Sequence, residues 1–267
     1  MKTVNRCFAA LLVLVLSVPA AAQGLQRDLT LTAGLGTGCY AEMGSSPVTY
    51  SGAAFMLAAG VETDHGRIAT DWDVAVRMGT YMSRACSNNV SSFIQPSAHV
   101  DVLYLLNPDD VCAVRAGVIV SDHVCVIQNE ALMNASLSLS NFLSMGMSAR
   151  ATMPLPPLPW NGHRWMADAA LTVSPWALVS RPGYSYVPNS TASDDIVGKF
   201  LDGYSTRSCF LAETHCRLRM ARLLNNGNRI AIGYDWQSLD THRSSIHRYA
   251  EADHALTLTL YFNLRRP

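Results

Sequence analysis

The C-terminal stretch 254–264 leaves this chain little choice of architecture. Leu256, Leu258, Leu260, Phe262 and Leu264 fall on one side of an alternating pattern. Ala255, Thr257, Thr259, Tyr261 and Asn263 fall on the other. A β-strand points successive side chains to opposite faces, so this is a strand with one apolar and one polar face. Its length suits a tilted strand that crosses a bilayer. A one-sided strand cannot exist alone, so the rest of the chain must supply its neighbours.

It does. Residues 28–37 alternate Leu29, Leu31, Ala33 and Leu35 against Asp28, Thr30, Thr32, Gly34 and Gly36. The same period recurs over 50–62, 68–82, 97–106, 111–121, 143–153, 164–179, 208–222 and 230–236. In the third of these strands Ile68, Trp72, Val74, Val76 and Met78 share a face opposite Asp71, Asp73, Arg77, Gly79 and Tyr81. Residues 122–141 are ambiguous, and Leu132 to Phe142 fits either a loop helix or an early start to the sixth strand. Pro154 is expected to end that strand, because proline cannot donate to a ladder. Asp64-His-Gly66 and Asn225-Asn-Gly-Asn228 read as tight turns. Gly34-Leu-Gly-Thr-Gly38 has glycines enough for a phosphate loop, but no helical pattern follows it.

Connections alternate in length along the chain. They are short or stiff near 65, 108, 156 and 226, and longer and polar near 42, 87, 127, 190 and 245. The expectation is an all-β fold: a single antiparallel up-and-down transmembrane barrel of about ten strands, within roughly eight to twelve. Charged residues make up only 15% of the chain, against about 25% in ordinary soluble domains. A surface facing lipid would produce that deficit. The formal net charge is zero, so no nucleic-acid partner is expected.

The N-terminus carries an export signal: Lys2 and Arg6, the apolar run 8–18, and Ala20-Ala-Ala22 as a cleavage site. Residues 1–22 are therefore read as a signal peptide and 23–267 as the barrel domain. Export permits disulfides, but spacing does not fix connectivity among Cys39, Cys86, Cys125 and Cys209. Cys39 and Cys86 reach the same end of neighbouring strands and can pair. Cys112 and Cys216 read as small lipid-facing residues. No cysteine or histidine spacing suggests a metal site, and no metal or cofactor is expected.

Orientation separates this pattern from a soluble barrel. The strand glycines Gly34, Gly36, Gly60, Gly79, Gly117, Gly146 and Gly233 share the charged face, as if making room for long side chains inside a narrow cylinder. Aromatic residues on the apolar face gather toward strand ends, with Trp72, Tyr104, Trp165 and Phe262 low and Phe210 and Trp236 higher, like interfacial girdles. The whole mature chain thus resembles bacterial outer-membrane β-barrels. Gln23 and the ending Leu260-Tyr-Phe-Asn-Leu264 look most like Bacteroidota-type members, although many such barrels end on the aromatic residue itself. The resemblance implies outer-membrane lipid as surroundings, in a Gram-negative bacterium.

The inward set includes Arg77, Arg115, Arg150, Asp168, Arg217, Arg219 and Asp235, expected to form a salt-bridged network filling the lumen. Three pairs spaced two residues apart point inward together: Asp71/Asp73, His99/Asp101 and Glu213/His215. Paired carboxylates facing an acid–histidine pair can activate water. That arrangement is similar to omptin proteases, ten-stranded barrels with two acids opposite an Asp–His pair near the outer rim. Here the matching residues lie deeper, and Glu213 stands where Asp is expected. A lipid-modifying enzyme would instead need a Ser/His pair near the lipid face, and Ser208 and His254 are the residues available. Long loops carrying Tyr184, Tyr186, Tyr204 and His247 suit a third role, binding an extracellular ligand or protein. A structural or binding barrel with a plugged lumen is the main expectation. A membrane hydrolase and a small pore are the alternatives.

Overall fold

The computed structural model describes residues 26–46, 48–83, 85, 89–108, 110–135, 137–156, 164–182, 204–241 and 248–264. Ten antiparallel strands close into one barrel in chain order, β1 meeting β10. They are β1 Gln26–Glu42, β2 Thr49–Asp64, β3 Ile68–Ser83, β4 Val90–Leu105, β5 Ala113–Gln128, β6 Leu137–Leu155, β7 Trp165–Pro182, β8 Tyr204–Leu223, β9 Arg229–Asp240 and β10 Tyr249–Asn263. A 3-10 turn, Glu130–Ala135, joins β5 to β6. The ambiguous stretch therefore divides: residues 122–128 continue β5, a short helical turn follows, and β6 starts early, at Leu137. Pro154 does not end β6: it pairs with Met166, and the strand runs on to Leu155.

Register fixes the shape. Stepping across paired residues from Thr80 on β3 through Ala53, Thr37, His254, Trp236, Cys216, Leu171, Ala149, Ala116 and Tyr104 returns to β3 at Ile68, 80 − 68 = 12 residues lower. A shear of that size on ten strands tilts them by about 40°. Each residue then climbs roughly 2.5 Å along the barrel axis. A 16-residue strand such as β3 spans about 40 Å, whereas the apolar band of an outer-membrane barrel is about 25 Å tall. The strands therefore outrun any lipid belt at the loop end.

β9 shows the consequence within one strand. Its outward side chains run Ile230, Ile232, Tyr234, Trp236, then Ser238 and Asp240, while its inward ones run Gly233, Asp235, Gln237, then Leu239. Low on the strand the apolar side faces out, and high on it the apolar side faces in. The same switch places Tyr40, Tyr50, Tyr81, Phe93, Phe142 and Tyr249 inside the loop end as one buried cluster. Tyr40 stacks on Tyr50 at 5.1 Å and on Phe93 at 6.1 Å, and Phe142 meets Tyr249 at 5.1 Å. Offset aromatic pairs at these separations add attraction beyond simple burial.

Two local features shape the wall. Register slips between β6 and β7 and again between β7 and β8, around Pro175. Proline in a strand is confined to edges and bulges, and here the bulge turns Ala177 and Val179 inward to join the aromatic cluster. Gly36 allows a close approach: a side chain there would meet the Ala255 Cα at 2.8 Å. At the turn end Gly66 adopts φ +80° and Gly227 φ +82°, which only glycine does cheaply. Both hairpins are further fixed by side chains, as Gly66 N–H donates to Asp64 Oδ1 at 2.8 Å.

Candidate functional site

The lumen holds three tiers of polar side chains beneath the aromatic cluster. At the turn end, two arginines tie five strands, β1, β2, β6, β7 and β9. Arg150 donates to Asp168 at 2.5 Å and to Glu62 at 3.2 Å, and Arg229 donates to Asp28 at 2.7 Å and to Glu62 at 3.4 Å. Arg229 also lies over the Tyr261 ring, 4.0 Å from its centre. Arg115 pairs with Asp64 at 2.7 Å, and Arg219 donates to the Tyr261 hydroxyl at 2.9 Å. A vestibule of about 340 Å³ opens beside these groups.

The middle tier holds the residues singled out from sequence. Asp71 is taken up by arginines, Arg217 at 3.4 Å and Arg150 at 3.8 Å. Asp73 faces His99 Nε2 at 3.9 Å. Asp101 sits opposite Asp71 in the β3–β4 register. His215 turns to Asp235 at 3.3 Å, and no ion pair joins it to Asp71 or Asp73 among the described residues. The His99 ring lies 5.1 Å from that of His123 and 6.3 Å from that of His215. These groups surround a chamber of about 70 Å³, room for roughly five water molecules.

Glu213 belongs to a different cluster. It accepts from Ser144 Oγ at 2.5 Å and meets His123 Nε2 at 2.7 Å, while Ser121 and Ser144 share a 2.6 Å hydrogen bond. All four side chains are buried. The i, i+2 pair Glu213/His215 is thus split, one member on His123 and the other on Asp235. His123 falls in the stretch that sequence left ambiguous, so its direction was not legible.

The third tier closes the lumen toward the loops. Arg77 donates to Asp253 at 2.5 Å and to Gln237 at 3.2 Å. Tyr81 OH donates to the other Asp253 oxygen at 3.1 Å. Gln95 donates to Glu251 at 2.8 Å, and Tyr249 OH donates to the same carboxylate at 2.5 Å. Cys125 Sγ lies 3.2 Å from the Tyr249 hydroxyl. Five strands meet in this lid, and the aromatic cluster lies above it. At the rim Arg181 pairs with Glu42, and Arg248 with Asp240. Sequence reading left Glu251, Asp253 and Glu42 in loops because it ended the strands short. Continuing the period of two past residues 37 and back from 254 would have placed them inside.

Ser208 and His254 do not form a pair on the outer wall. Ser208 accepts from Trp176 Nε1 at 2.8 Å, whereas His254 Nδ1 meets Tyr234 OH at 2.5 Å, and β8 and β10 are not neighbours. Cys216 lies on this wall, paired with Leu171 and Trp236. Cys86, Tyr184, Tyr186 and His247, with the side chains of Tyr204 and Cys209, lie outside the described residues.

Comparison with known proteins finds likeness in shape alone. No family model matches the sequence, and no curated protein matches it. Among solved structures, the outer membrane protease OmpT of Escherichia coli superposes with a TM-score of 0.57 at 9% identity, covering 93% of this chain and 100% of that one. The transport unit of the autotransporter AIDA-I from Escherichia coli gives a TM-score of 0.44 at 10% identity, covering 97% of each chain. The translocator domain of the autotransporter NalP from Neisseria meningitidis gives 0.42 at 10% identity, covering 97% of this chain and 96% of that one. This is the closed, antiparallel fold of outer-membrane β-barrels. No helix among the described residues is long and apolar enough to cross a membrane.

Proposed function

We propose that this protein is a non-conducting outer-membrane barrel that works through its loop end, binding an extracellular ligand or protein. The outward belt of Leu31, Leu57, Val74, Val118, Met147 and Leu256, all exposed, needs lipid around it, because a soluble protein rarely exposes so large an apolar surface. The signal-like N-terminus supports export, and Gln23 with the ending Leu260–Leu264 supports a Bacteroidota-type host. Short turns then face the periplasm and the loop end faces outward.

The observation that carries the functional reading is closure. The Arg77–Asp253 lid and the aromatic cluster fill the lumen below the rim. A substrate arriving from outside meets that packed core before it reaches His99 or His215. A partner from outside would engage the rim, where Arg181 pairs with Glu42 and Arg248 with Asp240.

Planar-bilayer recording on the refolded protein tests closure. The expected trace stays at baseline, and discrete conductance steps would overturn the reading. Peptide and phospholipid cleavage assays test the enzyme alternatives. The expected result is no turnover, and turnover lost in His215→Ala or His99→Ala would replace binding with catalysis. Cell or ligand capture should fall when the connections β1–β2, β7–β8 and β9–β10 are shortened while heat-modified gel mobility stays native. Unchanged capture would remove the loop end as the working surface.

A further inference from the structure

One sector of the wall does not follow the switch to polar side chains seen on β9. β3 enters the apolar belt at Ile68 and, at about 2.5 Å per residue, has climbed about 25 Å by Met78, where the belt ends. Met78 pairs with Ile94 on β4, and Met82, further up the same face, pairs with Val90. The lower row continues from Ile94 to Val126 on β5 and Leu139 on β6, with Leu137 two residues higher. Each step from β3 toward β6 climbs about 3 Å more, because the offset around the wall is shared over the strands. These side chains therefore stand above the lipid, on the outside. Met82 is 53%, Ile94 49%, Leu137 43% and Val90 42% exposed. The row between them, Thr80, Ser92 and Gln128, is polar but uncharged.

Leaning the barrel does not hide this surface. On β4 the outward side runs from Val90 to Tyr104 without a charge, a rise of about 35 Å against a belt of about 25 Å. Sinking its top into lipid pushes the exposed Tyr104 and Leu106 out at the bottom. Within the belt, lipid tails cover the wall as well as a protein does, so nothing there drives association. Above it the alternative is water, and a contiguous apolar patch of several hundred Å² marks a protein contact. Its cover has to be as tall as the wall and continuous from hydrocarbon into water. A second copy meets that condition: a two-fold axis along the membrane normal sets the same sector face to face at the same heights. Charge permits the contact. Among the described outward side chains of β3–β6 only Asp122 is charged; it lies on β5, beside the β3–β4 seam, and Asn141 Nδ2 donates to it at 2.6 Å. A stripe three strands wide and about 35 Å tall gives roughly 500 Å² per copy, or about 1,000 Å² in total, the size at which specific interfaces begin.

We propose that this protein pairs with a second copy of itself in the membrane through the upper outward face of β3–β6, centred on Met82 and Val90. The apolar side chains above the lipid drive the contact, and the belt below them only keeps the two walls parallel. Pairing uses the side wall and not the loop end, so it stands or falls apart from the binding reading.

The test uses the full mature chain, labelled at its N-terminus with donor or acceptor dye, mixed and refolded into lipid vesicles. Energy transfer in the wild type should rise linearly with acceptor fraction, as a dimer demands, and fall on dilution with lipid. Met82→Glu and Val90→Glu, both exposed above the belt, should each weaken association tenfold or more while heat-modified gel mobility stays native. Ser238→Glu, on the wall of β9, should leave it unchanged. Mixing Met82→Glu copies with Met82→Lys copies should restore transfer that neither shows alone. A wild type with no transfer beyond chance proximity, a readout that needs no variant to fold, would mean that lipid or another protein covers the patch and would overturn the proposal. So would Glu variants that associate as tightly as the wild type, an equal loss in Ser238→Glu, or a curved dependence on acceptor fraction, which reports a larger assembly.

Discussion

The two halves of the lumen are built on opposite rules from one continuous set of strands. In the turn-end half the interior is ionic, with Arg150, Arg229, Glu62 and Asp168 tied together, and the exterior is apolar. In the loop-end half the interior is aromatic and the exterior turns polar, as Ser238 and Asp240 show on β9. The difference follows from what lies outside the wall. Where lipid surrounds a barrel, apolar side chains gain nothing by pointing inward, and the lumen can be polar if its charges are paired. Where water surrounds it, the only place to hide apolar surface is the interior, so the barrel acquires an ordinary hydrophobic core. The lid of Arg77, Asp253, Gln95 and Glu251 lies at the seam between these two regimes.

The sharpest way to break this comparison is to put a charge into the aromatic half. Phe142 is 0% exposed, so Phe142→Asp loses its packing and buries a lone carboxylate. A destabilisation of about 5 kcal/mol or more is expected, read as loss of heat-modifiable folded protein. If the variant folds normally, the loop end is not a core. Next comes the seam. Asp253→Ala leaves Arg77 without its carboxylate and should cost about 3–5 kcal/mol in urea unfolding. The double change Arg77→Met/Asp253→Leu should recover most of that, because no unpaired charge remains.

A third measurement compares outward positions on β9. Ile232 is 65% exposed on the apolar belt, and Ile232→Arg should cost about 2–4 kcal/mol in lipid vesicles. Ser238→Arg, six residues higher on the same face, should cost almost nothing. Equal penalties would move the upper edge of the belt. The smallest effect is expected at the rim, where Arg248→Ala removes a solvent-exposed pair with Asp240 and should leave the unfolding midpoint unchanged.

Much of the fold was legible because lipid imposes a strict period of two. Leu256, Leu258 and Phe262 on β10, and Trp72 and Val74 on β3, carry that signal without help from distant residues. The ionic lumen was legible for the same reason, as the other face of the same alternation. The aromatic core was not. Tyr40, Phe93 and Tyr249 lie on strand extensions that read as loops, and Phe142 ends a stretch that fits helix or strand, since above the lipid the pattern reverses and the apolar face changes sides. Pro175 in the middle of β7 was the one local sign that register slips there.

The chain by itself determined that its strands alternate, that their apolar sides form an outer belt, and that the inside carries acids, arginines and histidines. It did not determine who meets whom. Arg77 finds Asp253 across 176 residues of sequence, and His123 takes Glu213 away from its i+2 neighbour His215 across 90. Those partnerships are set by height inside a tilted cylinder. A twelve-residue offset around the wall decides which levels of distant strands coincide, and only closing the barrel fixes that offset.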